Sequence, residues 1–518
     1  MLTFQLAISA CGILVVARLV FSFIKSFTSP TRHIQGPLLA RFTRLWYFRR
    51  VSLGRFEHEN IQLHRQYGSI VRLAPNMYSI DIPEAVNTVY GIGSKLPKSE
   101  WYDGWKHPSP DAWTTFPDRD IKRHAQTRRV FQGLYSMSSL VGYERYVDEC
   151  ADVLLNRLSL FSKSGEPINM GHWFQCYAFD VIGNITFSKP FGFLDRGEDV
   201  SGLLQAQHKV LAYSTLIGIY SSLHPYTFAV SNFFGIGGAA GRTYLAAYVK
   251  ERIRQRRAEQ TKNEEKALPA HNDGSPEDFL EKIMIKNKDA PSKVTDYHVF
   301  MMSMSNIIAG SDTTAISLSA ILYYLIKHPY VMEKVREEVD LISHTGAHLG
   351  FKESLEMPYW QAVMKEALRL HPATGLPLWR TVTEGGIQLN GHFFPEGSSI
   401  GLNTWTAHYN EDVFGDDAAE FRPERWLEAE EEGGHRLARM NAYYLPERSD
   451  INEEQFGLGS RTCIGRHISY LEMSKLIPLL IRNFDFELQD KEREWQTTNY
   501  WFVKPNNFNV IVKARETL

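Results

Sequence analysis

The residues with the clearest chemical purpose lie near the C-terminus, in Phe456-Gly457-Leu458-Gly459-Ser460-Arg461-Thr462-Cys463-Ile464-Gly465. The pattern F-x-x-G-x-R-x-C-x-G has a chance of arising on the order of one in ten thousand in a chain of this length at ordinary residue frequencies. Gly459 and Gly465 let backbone approach a flat ligand closely or take up positive φ. A helix-compatible run follows from Arg466, so the cysteine would stand beside backbone N–H groups and a helix N-terminus, which favour a thiolate. A thiolate held in that way is what heme iron takes as an axial ligand. The bland alternative is an inert cysteine after a tight turn.

Three further patterns carry ionisable groups. In Ala309-Gly310-Ser311-Asp312-Thr313-Thr314 a glycine followed by hydroxyl residues can open a local groove in a helix. An acid beside an alcohol in such a groove, here Asp312 and Thr313, can pass protons from solvent to a buried oxygen species. Small and hydroxyl residues equally suit close helix packing. Glu366-Ala367-Leu368-Arg369 puts a carboxylate and a guanidinium on one helix face, with Pro372 marking the helix end. A surface pair of this kind contributes little; a buried one needs further partners, and Arg425 in Phe421-Arg422-Pro423-Glu424-Arg425-Trp426 offers one. Asp120-x-x-x-His124-x-x-x-Arg128-Arg129 is a helical run in which His124 and Arg128 share a face, suited either to the carboxylates of a cofactor or to solvent.

Elements that could position these groups follow from periodicity. Helical spacing of apolar residues covers 147–160, 242–257, 298–326 and 329–342, and strand-like alternation covers 70–73, 77–82, 386–389 and 399–402. Polar stretches at 259–276 and 428–436 read as mobile surface loops. No solenoid repeat is evident, and the reading is a mainly α body with small β-sheets.

The 518 residues are 43% hydrophobic and 13% aromatic, enough for a large core. A net charge of −2 leaves no electrostatic footprint for nucleic acid. The cysteines Cys11, Cys150, Cys176 and Cys463 are scattered, giving neither a disulfide framework nor zinc spacing, and a reducing compartment fits. Residues 2–24 are almost wholly apolar, close to the roughly 20 residues that span a bilayer. Positive residues follow that run, with no basic region before it, so the remainder is expected on the cytosolic side. Pro30, Gly36 and Pro37 read as a stiff hinge. The expected division is an anchor at 1–25, a proline hinge at 26–40 and a catalytic domain at 41–518. The sequon Asn184-Ile185-Thr186 is read as coincidental.

Taken together, the order and spacing of these motifs resemble the cytochrome P-450 superfamily of heme-thiolate monooxygenases across essentially the whole chain. The Pro-Glu-Arg-Trp form and the His-containing basic helix are most similar to fungal microsomal members, the pisatin-demethylase-like group among them. The resemblance implies the cytochrome P-450 fold with an N-terminal transmembrane helix and heme b, iron protoporphyrin IX, as cofactor. It implies Cys463 as the iron ligand, with Phe456 packed beside the sulfur. Arg461, Arg128, His124 and Arg380 would hold the heme propionates. Glu366, Arg369 and Arg425 would form a structural triad, and Asp312 with Thr313 the proton-delivering pair.

The implied reaction uses O₂, two electrons and two protons to insert one oxygen atom into a hydrophobic small molecule, as in fungal secondary-metabolite biosynthesis. No dinucleotide or flavin fingerprint is present. NADPH would therefore act indirectly, through a separate NADPH-cytochrome P-450 reductase at the endoplasmic reticulum membrane. Lys122, Arg123, Arg129 and Arg466 are candidates for its docking face. By family position the distal lining is expected from Trp101, Tyr102, Trp105, Trp113 and Phe116, from Met301, Ser305 and Ile308, and from 373–378 and 500–502. The competing readings are a heme-thiolate isomerase or dehydratase that does not use O₂, and a non-catalytic heme- or lipid-binding membrane protein.

Overall fold

The computed structural model describes residues 17, 20, 23, 24, 27–265, 278–342, 348–444 and 459–515. Most of the apolar run at 2–24, and Phe456 with it, lies outside the described residues, and among those described no helix is long and apolar enough to cross a membrane.

The elements that matter for function are the helices α1 (Leu45–Ser52), α2 (Ile121–Gln132), α3 (Glu144–Ser164), α4 (Met170–Phe187), α5 (Leu203–Ile219), α6 (His224–Phe233), α7 (Gly237–Glu265), α8 (Asp296–Lys327), α9 (Pro358–Leu370), α10 (Glu424–Glu431) and α11 (Arg466–Asn483). The strands are β1 (Ile70–Ala74), β2 (Met77–Ile80), β3 (Arg380–Thr381), β4 (Ser399–Leu402), β5 (Gln496–Tyr500) and β6 (Phe502–Asn506). Strands β1 to β4 form one sheet in the order β1-β2-β4-β3. In it β2 runs parallel to β4 with Met77 opposite Ser399, and β3 runs antiparallel to β4 with Arg380 opposite Ile400. Beyond β3, Arg380 bridges to Lys98, so the sheet edge sets two cations side by side. Strands β5 and β6 form a hairpin closed at Trp501.

Helix α8 is the axis of the body. Thr295 begins it in a reciprocal capping arrangement with His298, which satisfies orphan N–H groups of the first turn. The helix then runs unbroken to Lys327. Gly310 opens no groove by breaking the ladder. Its role is contact: a Cβ there would lie 2.8 Å from Ile182 Cγ1 of α4, so only glycine lets the two helices touch at that point. Asn306 adds a buried tie to α4, donating from Nδ2 to Thr186 Oγ1 at 3.0 Å. The sequon is part of the same packing, with Asn184 and Thr186 buried in α4.

The segment expected as a proline hinge is docked. Arg72 Nη2 donates to the Thr31 carbonyl at 2.6 Å, and the Arg72 amide donates to Gln35 O at 2.8 Å. A Cβ on Gly36 would stand 2.4 Å from Arg72 O. Two stretches read as loops are corrected in their described parts. The polar run from 259 continues as α7 through Glu265, with 266–277 outside the described residues. The run from 428 ends α10, turns through Gly433 and Gly434 at positive φ, and starts a helix at His435. Charged residues there pair within and just ahead of the run, as in Arg422 with Glu428 at 2.6 Å and Arg436 with Glu432 at 3.3 Å. Polarity marked the solvent side of helices.

The Glu366–Arg369–Arg425 set is assembled as expected, and it is fully buried. Glu366 Oε1 accepts from Arg369 Nη2 and Arg425 Nε, each at 2.8 Å, and Oε2 accepts from Arg369 Nε at 3.0 Å. Trp426 Nε1, absent from the sequence reading, donates to Oε2 at 2.9 Å, and the Arg422 amide donates to Oε1 at 3.1 Å. Arg425 Nη1 also pairs with Asp417 Oδ1 at 2.8 Å, and guanidinium N–H groups of the two arginines reach carbonyls of Phe414, Ala418 and His408 between 2.6 and 2.7 Å. Burial alone would push the Glu366 carboxyl up, but the two guanidinium groups and the backbone N–H hold it below its ordinary value. Its stabilising share is therefore full above the unfolded carboxylate range and is lost as pH falls through the lower folded value.

Glu366→Gln leaves the buried Arg369 guanidinium without its carboxylate partner and Arg425 with Asp417 alone, a loss of about 3–5 kcal/mol. We expect a markedly lower unfolding midpoint at neutral pH, with the difference from wild type narrowing on acidification. A pH-independent difference in denaturant titrations would refute the charge argument.

Candidate active site

Helix α8 is buried around most of its circumference, yet Ser305, Ile308, Ala309 and Thr313 are accessible, Ala309 the most so. Spacings of three, four and eight put them on one face, which leaves an open stripe in the middle of a core helix. Thr313 Oγ1 donates to Ala309 O at 2.8 Å. One residue further on, Thr314 Oγ1 and Ser469 Oγ lie 2.9 Å apart and tie α8 to α11, the helix that follows the cysteine loop.

Cys463 is accessible, whereas Cys150 and Cys176 are buried. Burial of the loop raises the Cys463 thiol pKa, and the Gly465 and Arg466 amides with the Arg128 and Arg466 guanidinium groups oppose that rise. Arg128 Nη1 donates to Thr462 O at 2.6 Å, which fixes the loop against α2. A thiol that is costly to ionise alone, but ringed by groups that favour the anion, suits a site where a metal cation completes the balance.

Asp120 caps α2 by accepting from the Lys122 and Arg123 amides at 2.9 and 3.0 Å, and that helix presents His124 and Arg128 inward. His124, Arg461 and Arg380 come together as the sequence suggested, and Lys98 joins them. Lys98 is buried, its ammonium 4.3 Å from the Tyr102 ring centroid and 4.0 Å from that of Phe116. Burial and the neighbouring Arg380 and Arg461 drive its pKa well down. His124 is pushed down to about 3 by burial and by Arg461, Lys98, Arg128 and Arg380, so it is neutral. Arg461 is lowered to about 10, first by burial and then by Arg380. Arg461 Nη2 is buried with no hydrogen-bond partner among the described residues, while Nη1 donates to Asp118 O at 2.8 Å. Crowded cations with an orphaned donor call for an anion, and the two propionates of heme supply that charge. The residues present fit the group. Lys98 was missed because one lysine before an aromatic run has no periodic signature; it becomes a partner of Arg380 through strand pairing across the chain.

Asp312 and Thr313 are not in contact. Asp312 is 1% exposed, and its carboxylate is held by partners from three other elements. Its Oδ1 accepts from Lys504 Nζ of β6 at 2.8 Å and from Gln175 Nε2 of α4, and its Oδ2 accepts from Gln207 Nε2 of α5 at 3.0 Å. Gln207 Nε2 also reaches Ile308 O at 2.9 Å. These partners had no sequence signal.

Of the expected lining, Ser305, Ile308, Ala373, Leu378 and Phe116 are accessible, whereas Trp101, Met301 and Phe502 are sealed in packing. Trp101, Tyr102, Trp105 and Phe116 surround the Trp501 ring, with centroids 5.0, 6.1, 5.7 and 5.9 Å from it. Trp501 takes a φ of 77°, unusual for a bulky side chain. Of the expected docking cations, Lys122 and Arg129 are exposed. Arg123 is committed to Asp118 at 2.7 and 2.8 Å.

Comparison with known proteins identifies the family. A cytochrome P450 family model covers residues 37–512. Pisatin demethylase of Fusarium vanettenii is 37% identical over 507 residues, 97% of this chain and 92% of that protein. The cytochrome P450 monooxygenase cicH of Emericella nidulans is 34% identical, covering 93% and 94% of the two chains. The monooxygenase gsfF of Penicillium aethiopicum is 33% identical, covering 99% and 100%. With an open cysteine loop, a cationic cradle and a family match over nearly its whole length, the chain belongs to the cytochrome P450 family of oxygen-using heme b monooxygenases.

Proposed function

We propose that this protein is a membrane-anchored monooxygenase that inserts one oxygen atom of O₂ into a hydrophobic small molecule, hydroxylating or otherwise tailoring it in fungal secondary metabolism. The observation that carries the reading is the accessible Cys463 thiol beside the cationic cradle, with the open stripe of α8 tied close by. Cys463 is the iron ligand in this reading, and Lys98, Arg128, Arg380 and Arg461 neutralise the propionates while neutral His124 donates a hydrogen bond. Phe456 keeps its proposed place beside the sulfur. Bound heme supplies the oxygen-activating chemistry. The chain's own part is to hold the substrate against Ser305, Ile308 and Ala373, to exclude water with the ring cage, and to present the Thr313 hydroxyl as a proton carrier. Asp312 is the acid that recharges it.

Electrons reach the site from NADPH through a separate reductase, docked over the exposed Lys122 and Arg129. The chain is anchored by residues 1–25 in the endoplasmic reticulum membrane, with 26–40 leading to a cytosolic catalytic domain at 41–518. Exposed Leu38, Leu39, Leu45, Tyr226, Val230, Phe233, Phe234 and Ile236 support a membrane-facing surface. Arg44 Nη1 donates to Ile219 O at 2.9 Å and Phe48 packs 5.9 Å from Tyr220, so the N-terminal part of this apolar surface adjoins the end of α5. A surface patch of this kind marks an interaction site.

Cys463→Ala is expected to abolish the red-shifted absorption band of the reduced, carbon monoxide-bound protein, and a persisting band would remove the ligand assignment. The double variant K122E/R129E should slow reductase-driven reduction while leaving that band intact; unchanged reduction would move the docking face elsewhere. With residues 1–25 removed, the protein should still bind lipid vesicles. F233D/F234D should weaken that binding about a hundredfold or more, since each buried aromatic ring contributes about 1.5–3 kcal/mol, and equal binding would exclude this surface.

A further inference from the structure

Arg242 of α7 is half-buried and makes no hydrogen bond or ion pair among the described residues. Burial lowers its pKa to about 10, so it stays protonated at neutral pH. Two glycines fix its place. A Cβ on Gly241 would stand 2.6 Å from Ala206 O, and one on Gly238 would collide with the Tyr213 side chain, so α7 lies directly on α5. Arg242 follows Gly238 by one turn, which puts it on the face that meets Tyr213. The groups around it are neutral and already committed to one another. Lys106 O can only accept, so His224 donates to it from Nε2 at 3.0 Å and takes the Tyr213 hydroxyl hydrogen on Nδ1 at 2.9 Å. The Phe228 ring packs against both His224 and His107, with centroids 5.6 and 4.9 Å away. Both imidazoles are lowered, first by burial, and Arg242 adds to that. The Tyr297 hydroxyl donates to Trp113 O at 2.6 Å. Asp103, the acid that acts on His224, is already paired to Lys106 and Arg119 at 2.9 and 2.7 Å.

A guanidinium in such surroundings is tolerated when an anion meets it, and a carboxylate does so through two parallel hydrogen bonds. Among the described residues no second cation acts on Arg242, so the site matches a single negative charge. Tyr297, on which Arg242 acts, lies in the first turn of α8, eleven residues before Ile308. That is three turns, so Tyr297 stands at the outer end of the open stripe, about 16–17 Å along the axis. We propose that Arg242 is the counter-ion of an acidic substrate: it receives the carboxylate at one end of an amphipathic molecule whose apolar remainder lies along the open stripe of α8. Helix α6 buries His224 and Phe228 while exposing Tyr226, Val230 and Phe233. The way from an apolar phase to the cation is therefore one helix thick, a path suited to a ligand that is apolar along its length and charged at its head.

The inference rests on the monooxygenase reading, and the test separates the two. A wild-type protein without the red-shifted carbon monoxide band would sink that reading and this one with it. In a protein that shows the band, dodecanoic acid and dodecan-1-ol are titrated into the holoenzyme, with the shift of the heme absorption band and equilibrium dialysis as readouts. The acid should bind about tenfold tighter than the alcohol, or more. Arg242→Gln should weaken the acid about ten- to a hundredfold, the range of hydrogen bonds to charged groups. It should leave the alcohol and the carbon monoxide band unchanged, and Arg242→Lys should recover part of the acid's affinity. Equal losses for acid and alcohol would make Arg242 a packing residue. Equal affinity of the two probes in the wild type, or binding of neither, would show that no carboxylate is received there. In phosphatidylcholine nanodiscs, added phosphatidic acid should not displace the probe; displacement would assign the guanidinium to a lipid headgroup. Each of these results overturns the proposal. Should R242Q fail to fold, the preference of the wild type for acid over alcohol still decides.

Discussion

A carboxylate with no exposure, satisfied by two guanidinium groups, an indole and a backbone amide, is the fixed point of this structure. Glu366 cannot stay ionised in the interior unless each of those donors is in place. They come from α9, from the segment ahead of α10 and from α10 itself, so the requirement of one anion dictates how three pieces of backbone meet. The arginines then reach carbonyls at Phe414, Ala418 and His408, which draws the intervening loop onto the same knot. The strands that follow α9 leave from this anchored end, and β3 among them carries Arg380 to the site.

The cationic cradle is built on the opposite logic. Around Glu366 charge is complete; around Arg461 it is left open, with Lys98 and His124 driven down and a guanidinium nitrogen lacking a hydrogen-bond partner among the described residues. The protein retains repulsion there because an anionic ligand removes it. One buried cluster thus specifies the fold and the other specifies what the fold receives. The knot must be finished by the chain alone, and the cradle must not be.

Local motifs were legible where chemistry and sequence spacing coincide. The loop of Cys463, the inward pair His124 and Arg128, and the Glu366 set needed only a helix repeat or a tight turn to be placed. Lys98 and Lys504 were not legible, because each acquires its partner through strand geometry that joins distant segments, β3 in one case and the β5–β6 hairpin in the other. Gln175 and Gln207 are neutral amides on helices, with nothing in their neighbours to mark them. Gly310 was read as a point of helix opening, but its value lies in the contact with Ile182, which only the partner helix reveals. The polar runs at 259–265 and 428–436 misled for a related reason: charge reports exposure, and exposed helix looks like loop until its ion pairs are seen.

The hairpin carrying Lys504 is closed by Trp501 in a left-handed conformation, a strain of about 1–3 kcal/mol that persists only while surrounding packing enforces it. Four aromatic rings provide that enforcement, and the lysine lies three residues further along the same strand. The two features are therefore ends of one short lever. The ring packing that holds the Trp501 turn therefore also sets where the strand carries Lys504 to Asp312.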